Sequence, residues 1–301
     1  MSRFFKIVFK LVAVVVALLA LTAAFVYWKS NTLLKRKFTV AVSTPVLPTD
    51  AAAIERGHHL AKTRGCLECH GADLGGAKVI DDGAMGRLYG PNITRGQGGL
   101  KSGYRDEDYV IALRHGVGAD GRGLFLMPSV DFAHFTDADI GDLIAYLKAA
   151  PPVDRATVPL ALGPVARALF VAGKIKVSAD VIDHANVHPS EVKPAVTLEY
   201  GKYVAATCTG CHGDNFSGGK IAIGPPDWPK AANLTPHASG HLANWTEADF
   251  LKTIRTCQRP DGTTLDPVMP RIFGQMNDTE LKAIWVYLKS LPPLPTGTRQ
   301  S

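Results

Sequence analysis

From Ile7 to Trp28 the chain is almost wholly apolar, and Leu11–Trp28 is broken only by Thr22. At about 1.5 Å per residue, a helix of that length just crosses a hydrocarbon core of roughly 30 Å. After a stretch with Pro45, Pro48 and small residues, the pattern changes. Apolar residues recur at three- and four-residue spacing, which predicts amphipathic helices over Glu55–Ala61, Glu107–Arg114, Glu199–Ala205 and Glu247–Arg255. Two further helices start at Thr136-Asp137-Ala138-Asp139 and Asn277-Asp278-Thr279-Glu280, each with a polar cap and an acidic first turn. Both run to a Tyr-Leu-Lys triplet and stop at Pro151-Pro152 or Pro292-Pro293, because proline cannot continue a helix.

These elements form two copies of one unit. Each copy has a first helix with a central glycine (Gly57, Gly201), where another helix can approach closely. An Asn-Ile-Thr or Asn-Leu-Thr segment (92–94, 233–235) follows, then a middle helix, an Asp-Gly turn and a Met-Pro pair. The predicted map is an anchor over 1–30, a tether over 31–50, a first domain over 51–152, a connector over 153–195, a second domain over 196–295 and a tail over 296–301. Val165–Ile175 reads as a short apolar helix within the connector, which is expected to lie against one or both domains.

Composition changes this picture little. The 301 residues carry a formal charge of +6, but residues 1–40 hold seven Lys/Arg and no acid. Without those seven, 26 basic residues face 27 acidic ones, so no nucleic-acid footprint remains. The apolar N-terminal run reads as an uncleaved anchor, with basic residues on both flanks and Tyr27-Trp28 at its end. A cleaved signal peptide with Thr22-Ala23-Ala24 as a weak processing site is the alternative.

Four of the five cysteines lie in two pentapeptides, Cys66-Leu67-Glu68-Cys69-His70 and Cys208-Thr209-Gly210-Cys211-His212, 142 residues apart. This spacing reads as a c-type haem attachment site. On one helical turn the two thiols reach the two vinyl groups of a porphyrin, and the histidine is carried beneath the ring. Zinc would need both Cys pairs brought together, whereas each pair has its own histidine and its own repeat.

A sixth ligand is suggested by counting. His70 to Met127 and His212 to Met269 are both 57 residues, although the interior spacing differs by one. Each methionine precedes a proline, and thioether sulfur on iron raises the reduction potential. Met85 and Met276 have no such match and read as packing or surface. His58, His59, His115, His134, His184, His188, His237 and His241 do not recur and read as surface or core. Cys257, aligned with Gly116, reads as a buried thiol.

With these motifs the chain resembles tandem class I cytochrome c domains, and more narrowly the membrane-anchored cytochrome c subunits of bacterial periplasmic alcohol, aldehyde and sugar-acid dehydrogenases. The resemblance covers roughly residues 50–295. It implies an all-α fold in which the first and last helices of each domain cross. It implies two covalent haem c groups, with thioethers at Cys66, Cys69, Cys208 and Cys211, proximal ligands His70 and His212, and distal ligands Met127 and Met269. It also implies an electron carrier rather than an enzyme, held at the bacterial inner membrane with its haem domains in the periplasm. The donor would be a dehydrogenase and the acceptor a quinone, an oxidase or a soluble cytochrome. Many such subunits carry three haems, and this chain has motifs for two. A di-haem peroxidase, a thiosulfate-oxidising enzyme and a haem-copper oxidase subunit are the alternatives.

Overall fold

A computed structural model describes residues 3–221, 224–225 and 227–298. It opens with α1 (Arg3–Leu34), whose apolar side chains are almost all exposed; it is the one described helix long and apolar enough to cross a membrane. The chain then runs extended to α2 (Ala51–Thr63), which Asp50 caps through the Ala53 N–H. This stretch is no free tether: Val42 and Leu47 pack on the first core, and the Val46 carbonyl lies against Gly141.

The first domain continues with α3 (Cys66–His70), α4 (Asp106–His115) and α5 (Asp137–Ala149). Helices α2 and α5 cross at Gly57. A Cβ there would sit 2.0 Å from the Asp142 carbonyl oxygen, so only glycine permits the approach. Beside it Arg56 makes a bidentate pair with Asp142 at 2.6 and 3.1 Å. Val110, Ile140, Leu143 and Ile144 are fully enclosed beneath the crossing. Each such side chain contributes about 1.5–3 kcal/mol by leaving water.

The all-α expectation fails locally. Residues 77–90 form an antiparallel hairpin of β1 (Ala77–Asp82) and β2 (Gly86–Gly90), and the connector adds β3 (Ala161–Leu162) to its open edge. Gly86, at φ +96°, lets the Ala161 carbonyl come close enough to pair. Connector helix α6 (Pro164–Val171) then packs on the end of α1. Leu33, Leu34, Phe38, Leu88, Val117, Ala166, Phe170 and Val177 share a third apolar cluster there. Arg167 fastens the joint: Nη1 donates to Ser30 Oγ at 2.7 Å and to Asn31 Oδ1 at 3.0 Å, and the guanidinium lies 4.3 Å from the Tyr27 ring centre.

The second domain has α7 (Leu198–Ala205), α8 (Thr209–His212), α9 (Glu247–Thr256) and α10 (Asp278–Ser290). Helices α7 and α10 repeat the crossing: a Cβ on Gly201 would sit 2.0 Å from the Ala283 carbonyl oxygen. The last three residues of the expected tail lie outside the described residues.

Candidate functional site

Both Cys-x-x-Cys-His segments sit on short helical turns that end at a glycine, and the first also begins at one. Gly65 and Gly71 bound α3 at φ +80° and +79°, and Gly213 ends α8 at +78°. Such angles are open to glycine at no steric cost. Cys66 packs against the first core and Cys208 against the second. Burial pushes both thiols up to about 12, so each is neutral at pH 7.

The histidines are fixed alike. His70 Nδ1 donates to the Pro91 carbonyl at 2.8 Å, and His212 Nδ1 donates to the Ala232 carbonyl at 2.7 Å. A carbonyl only accepts, so the proton resides on Nδ1 and Nε2 keeps its lone pair. Burial holds both imidazoles below the usual histidine range, so both are neutral at pH 7. A neutral ring with a free, oriented Nε2 is what a metal requires.

Pro91 and Ala232 open the repeated segments 91–94 and 232–235, and the asparagine that follows each of them ties its segment to a distant part of the chain. Asn92 Nδ2 donates to the carbonyls of Val153 (2.7 Å) and Arg155 (3.0 Å), while its Oδ1 accepts from the Thr94 N–H and hydroxyl. Asn233 repeats this, with Nδ2 on the Leu294 carbonyl at 2.7 Å and Oδ1 on Thr235. Each asparagine therefore latches the loop behind the haem-motif histidine to the chain that follows the last helix, and so locks the histidine-bearing carbonyl in place.

In the second domain Cys208, His212 and Met269 line one apolar cavity. Leu242, Phe250 and Ile284 wall it, together with His241, which had read as a surface or core residue. Two lining residues also carry buried polar atoms without a partner, Thr253 Oγ1 and Arg259 Nε. A flat apolar ring that carries carboxylates suits both the wall and the orphaned donors, so the residues fit haem. Met127 packs against the first core alongside Cys66. At the first-domain position matching Phe250, Tyr109 has a buried hydroxyl without a partner. Met276, at 2% exposure, packs in the second core and also lines the cavity, and Met85 packs in the third cluster.

Paired thiols on a turn, an oriented neutral imidazole and an apolar cleft define a protein that binds haem c covalently. The chain belongs to the cytochrome c family, whose model matches residues 54–151 and 198–292. It is 27% identical over 278 residues to the fructose dehydrogenase cytochrome subunit of Gluconobacter japonicus, covering 82% of this chain and 55% of that one. It is 27% identical over 284 residues to the cytochrome c subunit of the quinone alcohol dehydrogenase of Gluconobacter oxydans, covering 82% and 56%. A diheme cytochrome c-type protein of Cereibacter sphaeroides is 26% identical over 264 residues, covering 79% and 86%. The chain thus spans little more than half the length of the two dehydrogenase subunits.

Proposed function

We propose that the chain is a di-haem electron carrier of two tandem class I cytochrome c domains. Cys66, Cys69, Cys208 and Cys211 form the thioethers, His70 and His212 are the proximal ligands, and Met127 and Met269 are the distal ones. Each bound iron would cycle between ferric and ferrous, one electron at a time. The residues around it attach the ring, close its sixth position and exclude water. The carrying observation is the repeated hydrogen bond from histidine Nδ1 to a backbone carbonyl, which leaves Nε2 free in both domains.

The donor we propose is a periplasmic or membrane dehydrogenase, in keeping with the relatives that are subunits of such enzymes. The acceptor would be a quinone, an oxidase or a soluble cytochrome, with α1 anchoring the carrier at the inner membrane. A free-standing di-haem cytochrome is the second reading, favoured by the 86% coverage of the diheme relative.

A pyridine haemochrome assay should give two haems per chain, and one or none refutes the proposal. Met127→Ala or Met269→Ala should open one iron to carbon monoxide that the natural chain binds poorly. Rapid binding by the natural chain would remove the methionines from the ligand set. Copurification with a dehydrogenase from mild detergent favours the first reading; recovery of the cytochrome alone favours the second.

A further inference from the structure

The repeat places His59 and Tyr203 at the same position of the two first helices, and Asp139 and Glu280 at the same third position of the two last helices. In the structure these partners are exchanged between domains. His59 Nε2 lies 2.7 Å from Glu280 Oε2. The Tyr203 hydroxyl donates to Asp139 Oδ2 and accepts the Thr136 N–H at 3.1 Å. The domains therefore meet about an approximate two-fold axis, as in an isologous dimer interface.

Arg64 breaks that symmetry, because Ala206 stands in its place in the second copy. Its guanidinium donates to Glu280 Oε1 at 3.2 Å, the two side chains are only 6% and 2% exposed, and Nη1 is buried without a partner. The next residue, Gly65, faces Ile272: a Cβ on it would lie 3.4 Å from Ile272 Cδ1, and Ile272 is three residues past Met269. On the opposite side, the His134 and Phe135 rings, seven and eight residues past Met127, lie 6.0 and 6.4 Å from the Tyr203 ring. The chain past each Met-Pro pair thus meets the other domain, and the Arg64–Glu280 pair is enclosed at this junction.

We propose that Arg64 and Glu280 form a built-in charge pair that tunes both haem potentials and holds the face across which an electron passes from one domain to the other. The proposal rests on the two-haem reading. The step moves one electron, so one iron is oxidised as the other is reduced, with no bond or proton exchanged. A buried positive charge favours the extra electron on either iron, and a buried negative charge opposes it. In a low-dielectric junction neither is screened away.

The test is a spectroelectrochemical titration of the full chain in detergent, comparing the natural protein with Arg64→Leu, Arg64→Lys and Glu280→Gln. Glutamine preserves the capping box that Glu280 makes with Asn277. We expect Arg64→Leu to lower both potentials and Glu280→Gln to raise them, each by about threefold to tenfold in the reduction equilibrium, tenfold being 59 mV for one electron. Arg64→Lys should restore most of the loss. Loosened packing alone would move the two variants in the same direction. Unmoved potentials, or shifts of one sign, in protein that retains two haems would overturn the proposal. If Arg64→Leu does not fold, Glu280→Gln decides alone: a raised potential supports the pair, an unchanged or lowered one refutes it. Fewer than two haems in the natural chain would instead defeat the underlying reading.

Discussion

The two domains share a helix crossing but surround it differently. In the first, Gly57 lies beside the Arg56–Asp142 ion pair; in the second, the corresponding residues beside Gly201 are Tyr200 and Ala283. In both, a Cβ on the glycine would fall 2.0 Å from the facing carbonyl oxygen. The side chains beside the glycine thus differ between the domains, whereas nothing replaces a missing Cβ at the centre. The same contrast holds around the motifs. The first domain folds the segment after its histidine into a hairpin, and no strand pair is found there among the described residues of the second, yet both return a backbone carbonyl to histidine Nδ1.

The strongest way to break this comparison is at the crossing. Gly57→Val or Gly201→Val forces the helices apart and should cost more than about 3 kcal/mol. Each variant should lose the haem of its own domain only, so a haemochrome assay should fall from two to one. Loss of both from either variant would mean the domains fold as one unit. Next come the latches. Asn92→Ala deprives the Val153 and Arg155 carbonyls and the Thr94 N–H of a partner, and Asn233→Ala the Leu294 carbonyl and the Thr235 N–H; each should cost about 2–3 kcal/mol and shift the denaturant midpoint by a similar amount. Unequal shifts would show that the hairpin supports the first latch independently.

Acid should separate the halves. Burial, with His184, His188 and Arg114 nearby, pulls His115 down to about 4; burial, with Arg64 and His188 nearby, does the same to His134. Both lie below the ordinary value near 6.5, so their neutral forms stabilise the fold above that pH. That contribution, of order 1–3 kcal/mol each, is lost as pH falls from about 6.5 to 4. Calorimetry at pH 7 and 4.5 should show the first domain's transition drop more, and His115→Asn should lessen the drop. The smallest effect concerns the left-handed caps after α4 and α9. Gly116 has φ +63°, and a Cβ there would come 2.8 Å from Ser178 Cβ, so Gly116→Ala should cost about 1–3 kcal/mol. Cys257 adopts φ +59° at the same place while burying its thiol. Cys257→Gly trades relieved strain for lost packing and should stay within about 1 kcal/mol by thermal melting.

Much of this was legible in the sequence, because it is local or repeated. The caps at Thr136 and Asn277, the proline stops, the glycine crossings and the two motifs each leave a pattern within a few residues. The hairpin escaped notice because its alternation spans only five or six residues interrupted by Gly83 and Gly86, and its third strand comes from the connector. The carbonyls of Pro91 and Ala232 escaped because a backbone acceptor leaves no mark in residue identity. His59–Glu280 escaped because its partners are 221 residues apart and the repeat hides the match: histidine and tyrosine occupy one slot, glutamate and aspartate the other.

The joint at Ser30, Asn31 and Arg167 also bears on how far the cytochrome can range. A carrier on a loose leash searches a hemisphere; one whose apolar stem is wedged into its own body turns as a single piece with that stem. On the proposed reading, in which α1 is the anchor, whatever fixes the stem would fix the altitude of the cysteine-histidine turns above it, and a redox partner would have to present its own centre at that level. Lengthening residues 31–50 would therefore not extend the range. It would pull a wall out of the structure.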